Sequence, residues 1–418
     1  MAATSQDRVH LALAGLTYRG FYYWDWRILE DVHELEIRRT VADGLADDVI
    51  RRAIGDWTLV WGPATRRLGK DFDSSAMYVV ERKGKRSELV VAVRGTNPIA
   101  LSDWDEGDFK VAQQIEWPFA PPAEMAKVSF STALGLSTLL RMASPEPSRL
   151  ATVIESPLAT VSRFVPGALA KLARGVPTVA ADIARQLENA FAPARKAWEP
   201  IATQEAERSK RVLTALGSTQ RHPPAIGWPP PQPPDRGAVT LVDFLRERAR
   251  KEADPLDIVV TGHSKGGALA PTLALWLRET RAQWDAKDRA RIGFHAFAGP
   301  TPGDGAFARR VAKELNGPCR RVVNSNDVVP HAWALADLAV LPKLYGGKLA
   351  WVAPITTAIQ TQLKNHDYEH VPVATETFSG KLLGVADVAE MAHQHLDAYL
   401  EYVGLARQGV DTLKLFLG

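Results

Sequence analysis

Two rhythms of apolar residues alternate along the chain. The runs AMYVV and ELVVAV lie before residue 94 and are separated by the charged link ERKGKRS, the pattern of a β-hairpin. The stretch VSFSTALGLSTLL, residues 128–140, repeats its apolar positions at helical spacing. Beyond residue 237 the same alternation predicts a helix over 241–250, a buried strand over 257–261 (DIVVT) and a helix over 265–277. Further strands are predicted at 292–298 and 321–324. Strands separated by helices imply a largely parallel sheet covered on both faces. One residue is out of step. Pro271 falls inside the 265–277 pattern, removes an N–H donor and is expected to kink or open that helix.

Two stretches depart from this rhythm. Residues 1–75 mix short helical patterns with the aromatic patch Phe21, Tyr22, Tyr23, Trp24 and Trp26, which is expected to pack the segment onto the core. Residues 141–237 are helical and Ala-rich, then end in HPPAIGWPPPQPPDRG, a tract that favours extended chain over helix. The expected organisation is therefore an N-terminal extension (1–75), a first part of the core (76–140), an insertion (141–237) and a second part of the core (238–418).

Within the insertion Val179, Ile183, Leu187 and Phe191 recur every four residues as one apolar stripe. From Arg141 to Arg236 there are 13 Lys and Arg against 8 Asp and Glu, although the whole chain carries only +3. A basic amphipathic segment suits an anionic lipid surface, so 141–237 is a candidate lid or lipid-facing cap. A helical subdomain packed on the core would show the same stripe.

Composition narrows the class. The chain has 418 residues, 46% of them hydrophobic, enough for a large core. The small net charge gives no reason to expect nucleic-acid binding. The single cysteine, Cys319, excludes an intrachain disulfide. The start MAATSQDRVHLALAG lacks the pattern of a signal peptide, and no run of 18 apolar residues indicates a transmembrane helix. A cytoplasmic protein, or one exported without a recognisable signal, is the expectation.

The densest chemical signal is Thr261-Gly262-His263-Ser264-Lys265-Gly266-Gly267-Ala268. It follows the DIVVT strand and opens an apolar helix, the setting of a G-x-S-x-G nucleophile elbow. The chain must turn sharply there, and Gly262 and Gly266 lack the Cβ atoms that would clash. Ser264 then stands at a helix N-terminus, whose free N–H groups favour developing negative charge. The Lys265 backbone N–H is the expected oxyanion donor, while its side chain is expected to be a solvated charge.

On an α/β-hydrolase scaffold the acid and then the histidine follow the serine. Asp327, in RVVNSNDVVPH, comes directly after a strand in a polar turn, where a carboxylate can orient an imidazole. His331, His366, His370, His393 and His395 are the candidate bases. His395 is favoured, on a loop taken to enter the late helix AHQHLDAYLEYV, with His393 as its rival. That pair has neither cysteine nor a clear carboxylate set beside it, so no metal and no cofactor are expected. A second oxyanion donor is expected from Arg94-Gly95-Thr96 after the strand LVVAV, with Thr96 N–H and hydroxyl aimed at the oxyanion.

Taken in order, these segments resemble the class 3 lipases, the fungal-lipase-like α/β-hydrolases. The resemblance rests on VVAVRGT with Asp103-Trp104, GHSKGGALA, GPTPGD from Gly299, VVNSNDVVPH and HLDAYL, and it spans residues 77 to about 400 apart from the insertion. Tyr368–Val371 is similar to the family's Y-x-H-V segment, whose histidine is not the base, which supports His395. Two positions depart from the family pattern: Lys127-Val128-Ser129-Phe130 stands for H-x-G-F, and Lys265 for the usual Leu.

The resemblance implies an α/β-hydrolase with a mostly parallel central sheet that cleaves lipid acyl esters, of the triacylglycerol or phospholipase type. It implies an acyl-enzyme on Ser264 formed with Asp327 and His395. The alternatives are an esterase for small soluble or aromatic esters and a non-catalytic interaction module. Turnover across ester chain lengths separates the first, and labelling of Ser264 by a fluorophosphonate separates the second.

Overall fold

The computed structural model describes residues 3–19, 30–67, 73–82, 84, 87–95, 111, 113–145, 238–252, 255–385 and 387–417. The aromatic patch at 21–26, Thr96, Asp103-Trp104 and the apolar stripe of Val179–Phe191 lie outside the described residues.

The fold is an α/β-hydrolase built on a seven-stranded sheet. Its strands are β1 (Thr58–Arg67), β2 (Asp73–Arg82), β3 (Glu88–Val93), β8 (Asp257–His263), β9 (Arg291–Phe297), β10 (Cys319–Asn324) and β11 (Ala374–Phe378), adjacent in that order. Two short ladders come between β3 and β8 in the chain: β4 (Gln114–Glu116) with β5 (Lys127–Ser129), and β6 (Ala143–Pro145) with β7 (Ala238–Thr240). The first three strands of the sheet are antiparallel, β2 and β3 forming the expected hairpin. From β3 through β11 every pairing is parallel.

Alternation along the strands sends side chains to opposite faces. On β3, Leu89, Val91 and Val93 enter one core, while Val90 and Ala92 enter the other. Tyr78 and Val80 of β2 join the second core, and Met77 and Val79 the first. All of these side chains are buried, which is the condition of a sheet covered on both sides.

Helices α4 (Phe130–Leu140), α5 (Leu241–Lys251), α6 (Lys265–Glu279) and α7 (Gly305–Glu314) contribute to the first core. The second core is closed by α1 (Ser5–Leu16), α2 (Glu30–Ala46) and α3 (Asp48–Ile54), and the start of α1 is fixed by a capping box between Thr4 and Asp7.

Three expectations change in detail. The 128–140 pattern divides, because Lys127–Ser129 is a strand and Ser129 caps the helix by accepting the Thr132 N–H at 3.0 Å. Pro271 does not open α6, which runs from Lys265 to Glu279 as one helix. Burial against the sheet and α4 outweighs the one backbone bond a proline forgoes. His393 and His395 are not at the start of a helix but in the last turn of one, Asp387–His395. The residues DVAEM before them are already helical, and the helix breaks at Leu396 (φ −118°, ψ −73°) before the next helix, Asp397–Tyr402.

The insertion has a simple geometry at its ends. Ala143 pairs with Thr240 and Pro145 with Ala238, so the described residues on either side of 146–237 are neighbouring antiparallel strands.

Candidate active site

Ser264 lies between the last residue of β8 and the first of α6. Its backbone has φ 61° and ψ −130°, a conformation that L-residues seldom adopt. The surrounding contacts hold it there. Ser264 N–H donates to the Phe297 carbonyl at 3.0 Å, and its own carbonyl accepts the Gly267 N–H at 2.8 Å. A Cβ on Gly262 would lie 2.2 Å from the Gly266 carbonyl oxygen, and one on Gly266 2.5 Å from that of Val93. The two glycines therefore let the turn close on itself and on β3.

Gly95 has a related task. A Cβ there would lie 2.1 Å from the Tyr18 hydroxyl, 2.4 Å from the His263 carbonyl oxygen and 3.0 Å from the Ser264 Cβ. The loop after β3 is thus pressed against the elbow itself. The buried Arg94 holds it from the other side, its Nε donating to the Thr17 carbonyl at 2.9 Å.

Asp327 follows β10 and is fully buried. Its Oδ1 accepts the Val329 N–H at 3.0 Å. Its Oδ2 accepts the Nδ1–H of His395 at 2.8 Å and the Tyr399 hydroxyl at 3.0 Å. Asn324 fixes the surrounding turn: its Oδ1 accepts the N–H groups of Asn326 and Gly380, and its Nδ2 donates to the carbonyl and side-chain oxygens of Gln394 at 2.8 Å each. The strand that ends at Asn324 and the helix that ends at His395 are thereby joined on both sides of the carboxylate.

His393 faces elsewhere. Its Nδ1 lies 3.7 Å from Asp397, which raises its pKa above the ordinary histidine value. His331 Nε2 donates to the Ser325 carbonyl at 3.1 Å. His370 accepts from Arg321 at Nδ1 (2.7 Å) and donates from Nε2 to the Pro330 carbonyl (2.9 Å). His366 has its pKa lowered, first by burial and then by Lys127. Of the five candidate bases, His395 is the one the structure brings against Asp327.

One residue beside these groups drew no attention in the sequence. His263 precedes Ser264, is buried, and packs its ring 4.5 Å from that of His395. The G-x-S-x-G pattern leaves this position open, so only its neighbours in space single it out. Lys265 is partly buried and is the first residue of α6.

Ser264, Gly95 and Asp327 all follow the carboxyl ends of parallel strands of the one sheet, β8, β3 and β10, with β9 between the last and the other two, where open α/β sheets place their ligands. Among the described residues no group of three or more His, Cys, Asp and Glu is arranged to hold a metal ion. Among them, too, no helix is long and apolar enough to cross a membrane.

Part of the chain is similar to known proteins. Residues 240–336 match the family described as Lipase (class 3), a span that includes Ser264 and Asp327. Phospholipase A1-Igamma2, chloroplastic, of Arabidopsis thaliana is 36% identical over 88 residues, 21% of this chain and 16% of that protein. Triacylglycerol lipase OBL1 of the same plant is 34% identical over 102 residues, 23% of this chain and 19% of that protein. The chain thus spans less than a fifth of the length of these curated relatives. The crystal structure of M37 lipase superposes with a TM-score of 0.67 at 24% identity, covering 99% of this chain and 96% of that one. Residues 240–336 thus match the class 3 lipase model, and the chain as a whole shares the fold of a solved lipase.

Proposed function

We propose that the protein is a serine hydrolase that cleaves the carboxylic esters of lipids by acyl transfer. The observation that carries this reading is the 2.8 Å bond from His395 Nδ1 to the buried Asp327, in a chain whose Ser264 sits on a strained strand-to-helix elbow. A proton on Nδ1, held by a carboxylate, leaves the lone pair on Nε2. Nε2 then serves as the base that takes the Ser264 proton as Oγ attacks the ester carbonyl. The imidazolium that forms is stabilised by Asp327 and returns its proton to the leaving alcohol. Water repeats the sequence on the acyl-enzyme.

The oxyanion is assigned to the backbone N–H groups of Lys265 and Thr96. Lys265 N–H opens α6, where the helix dipole favours negative charge. Thr96 follows Gly95, which is held against the Ser264 Cβ. No cofactor enters the scheme. The lipid nature of the substrate is inferred from the class 3 lipase sequence and from what the two plant relatives are named for. Of the stretch 141–237, Ala143–Pro145 forms β6; the remainder between β6 and β7, 146–237, is assigned the role of a cap that meets the lipid interface.

A chain-length series on soluble and emulsified esters tests the substrate class. Turnover should rise with acyl length and with emulsification. A strict preference for short, soluble esters would replace the lipid reading with that of a small-ester esterase.

A further inference from the structure

His263 takes part in none of the steps above, yet it touches both ends of them. It is the residue before Ser264 and closes β8. Its Nε2 lies 2.8 Å from the backbone carbonyl oxygen of His395. A carbonyl can only accept, so Nε2 carries the hydrogen and Nδ1 presents the lone pair. Nδ1 faces the Tyr18 hydroxyl at 3.4 Å, a group able to donate to it. The ring is enclosed by those of His395 at 4.5 Å, Tyr399 at 5.8 Å and Phe416 at 6.2 Å. Burial, and then the neighbouring His395, hold its pKa well below the ordinary histidine value.

The backbone of His395 needs such a restraint. It ends one helix, and the chain breaks at the next residue before another begins. The last carbonyls of a helix lack partners within it, and a helix end is where a backbone moves most readily. Asp327 holds the imidazole through one ring atom, and a single bond to Nδ1 does not by itself set the position of the main chain that carries the ring. Proton transfer requires Nε2 to stay within hydrogen-bond reach of Ser264 Oγ.

We infer that His263 is a positioning residue: a neutral imidazole that ties the main chain of His395 to the nucleophile's own strand and so fixes the approach of base to serine. The inference rests on the reading of Ser264 and His395 as nucleophile and base. The ring's neutrality fits this role, since a cation there would oppose the imidazolium that His395 becomes during attack.

The experiment uses His263→Leu and His263→Gln in the full chain. It records thermal melting, the rate of Ser264 labelling by a fluorophosphonate, and kcat and KM on a soluble short-chain ester. In His263→Leu the labelling rate and kcat should fall together, by about 10- to 100-fold, with KM little changed, as for a misplaced catalytic group. The Gln amide can still donate to the His395 carbonyl, so His263→Gln should recover most of the loss. Labelling of a folded His263→Leu protein at the wild-type rate would overturn the inference. So would a folded His263→Gln protein as slow as about 100-fold below wild type, and this second variant decides the matter if His263→Leu does not fold. Failure of the wild-type protein to label at Ser264 would instead strike the reading of the site itself, and the inference with it.

Discussion

Tyr399 donates its hydroxyl to the Asp327 carboxylate oxygen that also accepts His395 Nδ1–H, at 3.0 Å and 2.8 Å respectively. The same phenol accepts the Asn324 backbone N–H at 3.0 Å. Burial, and then the charge of Asp327, raise its pKa far above that of a free tyrosine, so it remains a donor at every physiological pH. Tyr399→Phe removes one bond to the carboxylate and leaves a buried N–H unpaired. The expected result is a stability loss of about 1–3 kcal/mol and a fall in kcat of roughly 2- to 10-fold, with KM unaltered. Denaturant unfolding and steady-state kinetics check the two effects separately.

His393 and His395 are two residues apart and face different carboxylates. His395→Ala should lower kcat/KM by at least about 10³-fold, whereas His393→Ala should stay within a few fold of wild type. The His393 substitution should instead act on stability, with a definite sign. Asp397 raises the folded-state pKa of His393, so its stabilising effect is complete below the unfolded value near 6.5. That effect disappears as pH rises through the folded value. The stability cost of His393→Ala should accordingly be larger at pH 5.5 than at pH 9, and equal costs at both would contradict the pairing.

Gly95 leaves no room for a side chain. The Cβ of Gly95→Ala would fall 2.1 Å from the Tyr18 hydroxyl and 2.4 Å from the His263 carbonyl oxygen, which belongs to the backbone beside Ser264. The elbow or the loop must shift to admit it. Activity should fall by about 100-fold or more, as expected when catalytic groups move by an ångström. An active Gly95→Ala enzyme would show that the loop after β3 does not fix the site.

Acid should loosen the N-terminal helix. His10 and His295 meet Nδ1 to Nδ1 at 2.7 Å in the second core, a contact in which one ring must donate and the other accept. Burial is the main cause that lowers both pKa values; the neighbouring His295 adds to it for His10, and Asp7 opposes it for both. Arg320 and Arg82 nearby disfavour a further positive charge. Below about pH 6.5 the unfolded chain therefore takes up protons that the fold refuses, and stability falls as pH falls. The slope contributed by each ring is at most about 1.4 kcal/mol per pH unit. His10→Leu should flatten the decline in unfolding free energy between pH 8 and pH 5.5. An unchanged slope would mean that the imidazole pair is not its source.

What was legible in the sequence follows from range. The elbow could be read because its glycines answer clashes within five residues of Ser264, as between Gly262 and Gly266. The strands could be read because each face of the sheet has a core of its own, so that continuous apolar runs such as ELVVAV bury completely. The choice between His393 and His395 rested on an expected loop before the late helix and on resemblance, because a step of two residues is invisible to periodicity and is decided by where a helix ends. The break at Leu396 that turns His395 toward Asp327 has no local signature. His263 was missed for a similar reason. Its partners, the His395 carbonyl and the Tyr18 hydroxyl, are 132 and 245 residues away in the chain. Burial of α6 against sheet and helix likewise overrode the local preference of Pro271.

The most direct test of the account is the labelling of Ser264 itself. Wild-type protein treated with a fluorophosphonate should carry one covalent adduct, mapped by peptide mass spectrometry to Ser264, and should lose ester hydrolysis in proportion to labelling. Ser264→Ala, folded by thermal melting, should neither label nor turn over, with a loss of roughly 10⁶-fold in kcat. An adduct on another residue, or full hydrolysis by folded Ser264→Ala, would contradict the central claim.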